Sequence, residues 1–197
     1  MNNPLIDFLQ LIRPIEKEDQ LIIGEAFIRR SIPEGECLSQ PGTINRNLFF
    51  ICEGVLRIVK QNEKGNPVIH FFLKGNQFCT ILKSFTEGIA AEESIEAACN
   101  TEIMTISKSR LMALYEKLPY VKVMIDETIQ ATLLEKINIR NRYLGLDSAM
   151  KYRLFLTTQS DIALKISLSD IASYLGITPQ SLSRIRKNIS HSPAEKK

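Results

Sequence analysis

Ile166-SLSDIASYLGITPQSLSRIRKN-Ile189 is the stretch on which the reading of this 197-residue chain turns. Ser167 is a helix-capping residue type, and Asp170 follows three residues later in the manner of a capping box. Ile171, Ala172 and Leu175 share one face of the helix this predicts. Gly176 stands where a sharp turn needs left-handed backbone. Thr178 is the next capping candidate, and Pro179 takes the first position of a second helix. Leu182 and Ile185 then recur on its inward side. A close helix pair needs a small residue at the crossing, here Ala172, and apolar residues on either side of the turn, here Leu175 and Ile177. The segment therefore reads as a helix-turn-helix. The competing reading is a structural hairpin with a solvated polar face. The coincidence of cap, alanine, glycine and basic exit disfavours it. The outward side chains of the second helix, Gln180, Ser181, Ser183, Arg184 and Lys187, are types that read base edges or hold phosphates.

Working upstream, residues 119 to about 143 contain neither glycine nor an internal proline. Val121, Ile125, Ile129, Leu133 and Ile137 recur every four residues, which predicts a long amphipathic helix. Spacing alone leaves open whether this stripe packs on its own domain or forms a dimer seam. Pro119 suits the helix start and Gly145 its end. Ser109 is a cap candidate for a shorter helix ending near Leu118.

Before that, from about Ser31 to Ser107, short apolar runs alternate with glycine-bearing turns. LFFIC (48–52), VLRIV (55–59), VIHFFL (68–73), IEAAC (95–99) and Thr101 to Ile106 are the strand candidates. Strands at this spacing predict a sandwich or barrel. Residues 5–30 read as short helices. The boundaries are a β-rich domain over 1–118, the long helix over 119–145 and the helix-turn-helix unit over 146–197.

Composition narrows the class. The apolar fraction of 44% and charged fraction of 24% suit an ordinary globular chain. No run of about 18 apolar residues is present and the N-terminus lacks a secretory pattern, which predicts a cytoplasmic protein with no membrane partner. Cys37, Cys52, Cys79 and Cys99 are widely spaced, so buried reduced thiols are expected rather than disulfides or zinc ligands. Only two histidines, His70 and His191, are available for metal or triad chemistry. Residues 165–197 carry +4 of the chain's net +3, leaving −1 for the rest. A basic end on a near-neutral body fits nucleic-acid binding and equally a solvated tail.

IASYLGITPQSLSRIRK resembles the DNA-binding end of bacterial Crp/Fnr-type transcription regulators. Pro41-Gly42, LFFICEGVLRIV and the Gly65 turn resemble the β-roll of the cyclic-nucleotide-binding fold. The resemblance covers nearly the whole chain and implies an α+β fold. Its parts are a double-stranded β-helix or jelly-roll domain, a long dimerisation helix and a C-terminal helix-turn-helix domain. It implies a homodimer paired through Val121, Ile125, Ile129, Leu133 and Ile137, bound to double-stranded DNA at a near-palindromic operator, with RNA polymerase as a further partner. The positions that read bases in that family match Pro179, Gln180 and Arg184. Pro179 has no polar side chain, so its contact is lost or replaced. Gln180 suits adenine and Arg184 guanine. Thr178, Ser181 and Lys187 suit phosphates. The chain ends soon after the second helix, with no room for a downstream β-wing.

The expected effector pocket departs from the cyclic-nucleotide pattern. Matching places Thr80 and Ile81 where a glycine-glutamate pair belongs, and Glu93 and Ser94 where an arginine-serine pair belongs. Lys83 is the only cation near in sequence. Between Thr86 and Glu102 stand five acidic residues and no basic one, read as a solvated loop or a cation site. Such a field repels an anion, so cyclic AMP is not expected to bind in the usual way. No cofactor, metal or catalytic residue is predicted. His70 and Cys79 are conceivable haem ligands or redox groups but read as structural. Two other readings stay in view. One is a scaffold or sensor with a vestigial DNA module. The other is a cupin-like enzyme, disfavoured because the roll offers only His70.

Overall fold

The computed structural model describes residues 3–191. Two short helices, α1 (Pro4–Ile12) and α2 (Lys17–Ala26), open the chain. Asn3 caps α1, its side-chain oxygen accepting from the Leu5 and Ile6 amides. Eight strands follow: β1 (Ile28–Ile32), β2 (Cys37–Ser39), β3 (Asn47–Glu53), β4 (Val55–Gln61), β5 (Pro67–Lys74), β6 (Gln77–Cys79), β7 (Glu93–Ala97) and β8 (Thr101–Ser107). They form two antiparallel four-stranded sheets, ordered β1-β8-β3-β6 and β2-β7-β4-β5. A short helix, α3 (Leu82–Glu87), lies between β6 and β7.

Strand alternation sorts the side chains. Leu56 of β4, Ile95 of β7 and Ile51 and Phe49 of β3 point between the sheets and form the core of the roll. On the outer face of the first sheet, Leu48, Phe50 and Met104 meet α1, α2 and the helix after β8. On the outer face of the second, Val55, Ile69 and Phe72 meet the C-terminal helices.

Three expectations need correction. Residues 28–30 belong to strand β1 rather than to the tail of a helix, because pairing with β8 satisfies their backbone. The helix α4 (Lys108–Lys117) is capped by Ser107, not Ser109: its hydroxyl accepts from the Arg110 amide. β7 also stops at Ala97, short of Cys99.

The long helix is α5 (Pro119–Arg142), with Pro119 in its first turn. It leads into α6 (Ser148–Thr158), α7 (Ser160–Ala163), α8 (Leu168–Leu175) and α9 (Pro179–His191). Tyr152, Phe155, Ile162, Ile171, Leu175 and Leu182 share one apolar cluster with Val55, Ile69 and Phe72 of the roll. The helical unit therefore buries its apolar side against the β-domain. No helix among the described residues is long and apolar enough to cross a membrane.

Candidate nucleic-acid interface and effector cavity

The α8–α9 pair is built by local chemistry. The Ser167 hydroxyl accepts from the Asp170 amide and starts α8. Ile171, Ala172 and Leu175 are buried, and Gly176 ends the helix at a φ of 68°. The Thr178 hydroxyl accepts from the Ser181 amide and starts α9. Thr178 and Ser181 also bond to each other through their hydroxyls. Both therefore organise the turn as well as lying at its surface. Leu182 is fully buried beneath α9. With about 100° of rotation per residue, Gln180, Ser183, Arg184 and Lys187 fall within about 100° of one another on the opposite side. All four are exposed. The described part of α9 carries Arg184, Arg186 and Lys187 and no acidic residue. Glu195, Lys196 and Lys197 of the basic end, and any wing region, lie outside the described residues.

Asp170 does not complete a capping box. Its carboxylate accepts two bonds from the Arg57 guanidinium of β4, each at 2.9 Å. The same guanidinium donates to Glu96 of β7 at 3.0 and 2.9 Å. The Ile69 amide of β5 donates to the Ser173 hydroxyl of α8. Lys74 pairs with Asp161 at 2.6 Å. The helix pair is thus tied to the roll by charge as well as by its core.

The four-residue stripe on α5 divides. Val121 and Ile125 are fully buried in the chain's own core, with Ile129 packed beside them. A desolvated position inside one protomer offers no surface to a second, so these two cannot form a seam between copies. A four-residue repeat advances about 40° per step, so the stripe turns through about 160° between Val121 and Ile137. Its far end emerges on the opposite side. There Val123, Leu134 and Ile137 are 55%, 62% and 53% exposed, with Leu133 less so. Val123, Gln130 and Ile137 stand seven residues apart along that exposed line, the spacing of a coiled-coil seam.

The region matched to an effector pocket holds a cavity of about 430 Å³. Thr80, Ile81, Lys83 and Glu93 line it. Ser94 does not. Strand alternation turns it to the other face of β7, where its hydroxyl donates to Glu96 at 2.7 Å. Lys83 is not the only basic side chain: Lys60 and His70, distant in sequence, also line the cavity, as does Leu133 of α5. Lys60 pairs with Glu92 at 2.8 Å and holds that carboxyl below its ordinary value.

The acidic run is a solvated loop only in part. Glu87 and Glu92 are exposed, whereas Glu96 pairs with Arg57, Glu102 pairs with Arg29 and Glu93 lies in β7. Pairing reduces the negative field, yet no guanidinium reaches the cavity lining. Its two lysines are offset by Glu92 and Glu93, and most of the remaining wall is apolar. Thr80 is held from behind, accepting from the Asn45 amide group and donating to the Asn47 carbonyl.

The cysteines are free, and Cys37 is exposed rather than buried. Burial pushes the Cys79 thiol up to about 12, which keeps it protonated and unreactive. No three His, Cys, Asp or Glu side chains among the described residues are grouped to hold a metal.

Residues 29–117 match the family model of the cyclic nucleotide-binding domain. No curated protein matches the chain. Among solved structures, the chain is similar to the c-di-GMP responsive global regulator CLP of Xanthomonas campestris. Identity is 16%, with 89% of this chain and 92% of that one covered at a TM-score of 0.69. It is similar to a putative transcriptional regulator of the Crp/Fnr family from Eubacterium rectale at 17% identity, covering 93% and 88% at 0.69. A third likeness is to TTHA1359, a Crp/Fnr-family transcriptional regulator of Thermus thermophilus, at 14% identity, covering 86% and 89% at 0.68. The chain as a whole shares the fold of these Crp/Fnr-family structures.

Proposed function

We propose that this chain is a sequence-specific DNA-binding transcription regulator that acts as a homodimer on a near-palindromic operator. The observation that carries the reading is the outer face of α9. Gln180, Ser183, Arg184 and Lys187 are exposed together on a helix whose other side is fixed by Leu182 and whose start is held by Thr178 and Ser181. A helix presented this way fits a major groove. Gln180 suits bidentate bonding to adenine and Arg184 to guanine. The exposed line from Val123 to Ile137 supplies the dimer contact in this reading. Two-fold symmetry then sets two half-sites about one helical turn apart.

The effector domain in this reading takes a ligand other than cyclic AMP. A cyclic phosphate is held best by a guanidinium that forks onto its oxygens. The cavity lining has none: Glu93 stands at the matched position, Lys60 is paired with Glu92, and Lys83 is left as one ammonium near the same carboxylate.

Selection of duplexes from a random DNA pool by the purified protein tests the main reading. The expected result is a two-fold symmetric motif. No enrichment with or without added small molecules overturns it. Arg184→Ala is expected to relax one base pair per half-site and to cost about 1–3 kcal/mol there. Uniform weakening on every sequence assigns Arg184 to the phosphate backbone instead. Titration with cyclic AMP is expected to give no saturable binding.

A further inference from the structure

A second cavity, of about 250 Å³, lies where the roll, α5 and α8 meet. The roll contributes Val68 to Phe71, α5 contributes Lys136 and Arg140, and α8 contributes Ser173 to Gly176. Its charge is one-sided. His70, Lys136, Arg140 and Lys151 line it and no carboxylate does. Phe71, Tyr143 and Tyr174 supply ring surface.

Two features show that the cations are built into place. The first is a bulge in β5. Ile58 pairs with Phe71 and Val59 with Ile69, so His70 is the extra residue between them. A bulge re-aims the side chain it carries. His70 is turned toward α5, where its Nε2 lies 3.0 Å from an Arg140 guanidinium nitrogen. A guanidinium only donates, so the imidazole accepts and is neutral. The second is Lys136, only 5% exposed. It forms a long ion pair with Glu135 at 3.7 Å, and that carboxylate also accepts from the Gln77 amide group. Burial holds both His70 and Lys136 below their ordinary values, and the Arg140 charge lowers His70 further. Glu93, Glu135 and Asp161 act in the opposite sense but do not line the space. A wall that carries basic groups and no carboxylate favours an anion.

We propose that this junction cavity binds a small organic anion, a carboxylate or phosphate carried on an apolar ring. Its acidic group sits among Lys136, Arg140 and His70 and its ring against Phe71 and Tyr174. The burial of Lys136 excludes the backbone of a duplex, which cannot follow it inward. Because three units form the wall, an occupant ties α8 to the roll. If α9 reads DNA as proposed above, occupancy also sets the position from which it does so.

The test uses phenyl phosphate, with benzyl alcohol as the uncharged match and inorganic phosphate as the ringless one. The readout is the NMR titration of the histidine rings, which number two in this chain. Phenyl phosphate is expected to shift the His70 resonances saturably and to raise their titration midpoint. Benzyl alcohol is expected to do neither, and inorganic phosphate to bind more weakly. Lys136→Met and Arg140→Gln are each expected to weaken binding about tenfold or more, the loss of one charge-assisted bond. Thermal melts of both variants confirm that they fold. Lys83→Gln, which alters only the roll cavity, is expected to leave binding unchanged. The proposal is overturned by the absence of a saturable shift. It is equally overturned by full binding in Lys136→Met, or by loss of binding in Lys83→Gln. None of these readouts involves DNA, so failure here is distinct from failure of the regulator reading.

Discussion

Gly54 joins β3 to β4 at a φ of 95°, and a Cβ built there lies 2.4 Å from the Thr101 hydroxyl and 2.7 Å from its Cα. Backbone cannot yield as a flexible side-chain end does. Gly54→Ala is therefore expected to cost about 3 kcal/mol, read from denaturant unfolding. His70 gives a pH signature. Burial and Arg140 lower its folded pKa below the unfolded value of about 6.5. The unfolded chain then binds the proton first, so this contribution to stability is intact above that value. It is lost as pH falls below about 6.5 toward the folded pKa. Replacement by Gln is expected to flatten the unfolding free energy across that window. An unchanged slope means that His70 is not the source.

At the scale of elements, α5 carries two different apolar surfaces on one rod. Ile125 is buried within the protomer, whereas Ile137 is exposed on the far side. Ile125→Glu is expected to unfold or severely destabilise the chain, because it buries a charge without a partner. Ile137→Glu is expected to leave the fold intact and to halve the mass seen by sedimentation. A monomeric wild type, or an Ile137→Glu variant that still dimerises, removes the seam from this face. The repeat of four was legible in the residues. Its division was not, because a four-residue step drifts around a helix of 3.6 residues per turn and only the neighbours decide where it enters the core.

Across the whole molecule, Arg57 links the roll to the α8–α9 pair by charge. Its guanidinium holds Glu96 of the roll and Asp170 of α8 at once, with all three side chains largely buried. Arg57→Ala leaves two carboxylates facing each other and is expected to cost about 2 kcal/mol. Faster amide exchange is expected throughout α8, with β3 and β8 unchanged. Arg57→Lys is not expected to restore protection, since an ammonium cannot fork onto two carboxylates. Uniform acceleration over the whole chain instead means that Arg57 supports the fold globally rather than the docking of α8.

What the sequence determined by itself was everything encoded between near neighbours. Ser167, Ala172, Gly176, Thr178 and Pro179 specify α8, its turn and α9 within a dozen residues, through caps and a left-handed glycine. The glycine-punctuated strands marked the roll, and Thr80, Ile81, Lys83 and Glu93 marked one wall of its cavity. The tertiary structure alone decided the rest. It brought Lys60 and His70 to that wall, turned Ser94 away from it, and paired Arg57 with Asp170 across 113 residues of chain. It also set His70 against Arg140 across 70 residues through a bulge that no local pattern announces. The physical reason is the range of each interaction. Capping and turn preferences act over three or four residues. Charge pairing, strand register and cavity lining depend on which distant segments the packed core brings together.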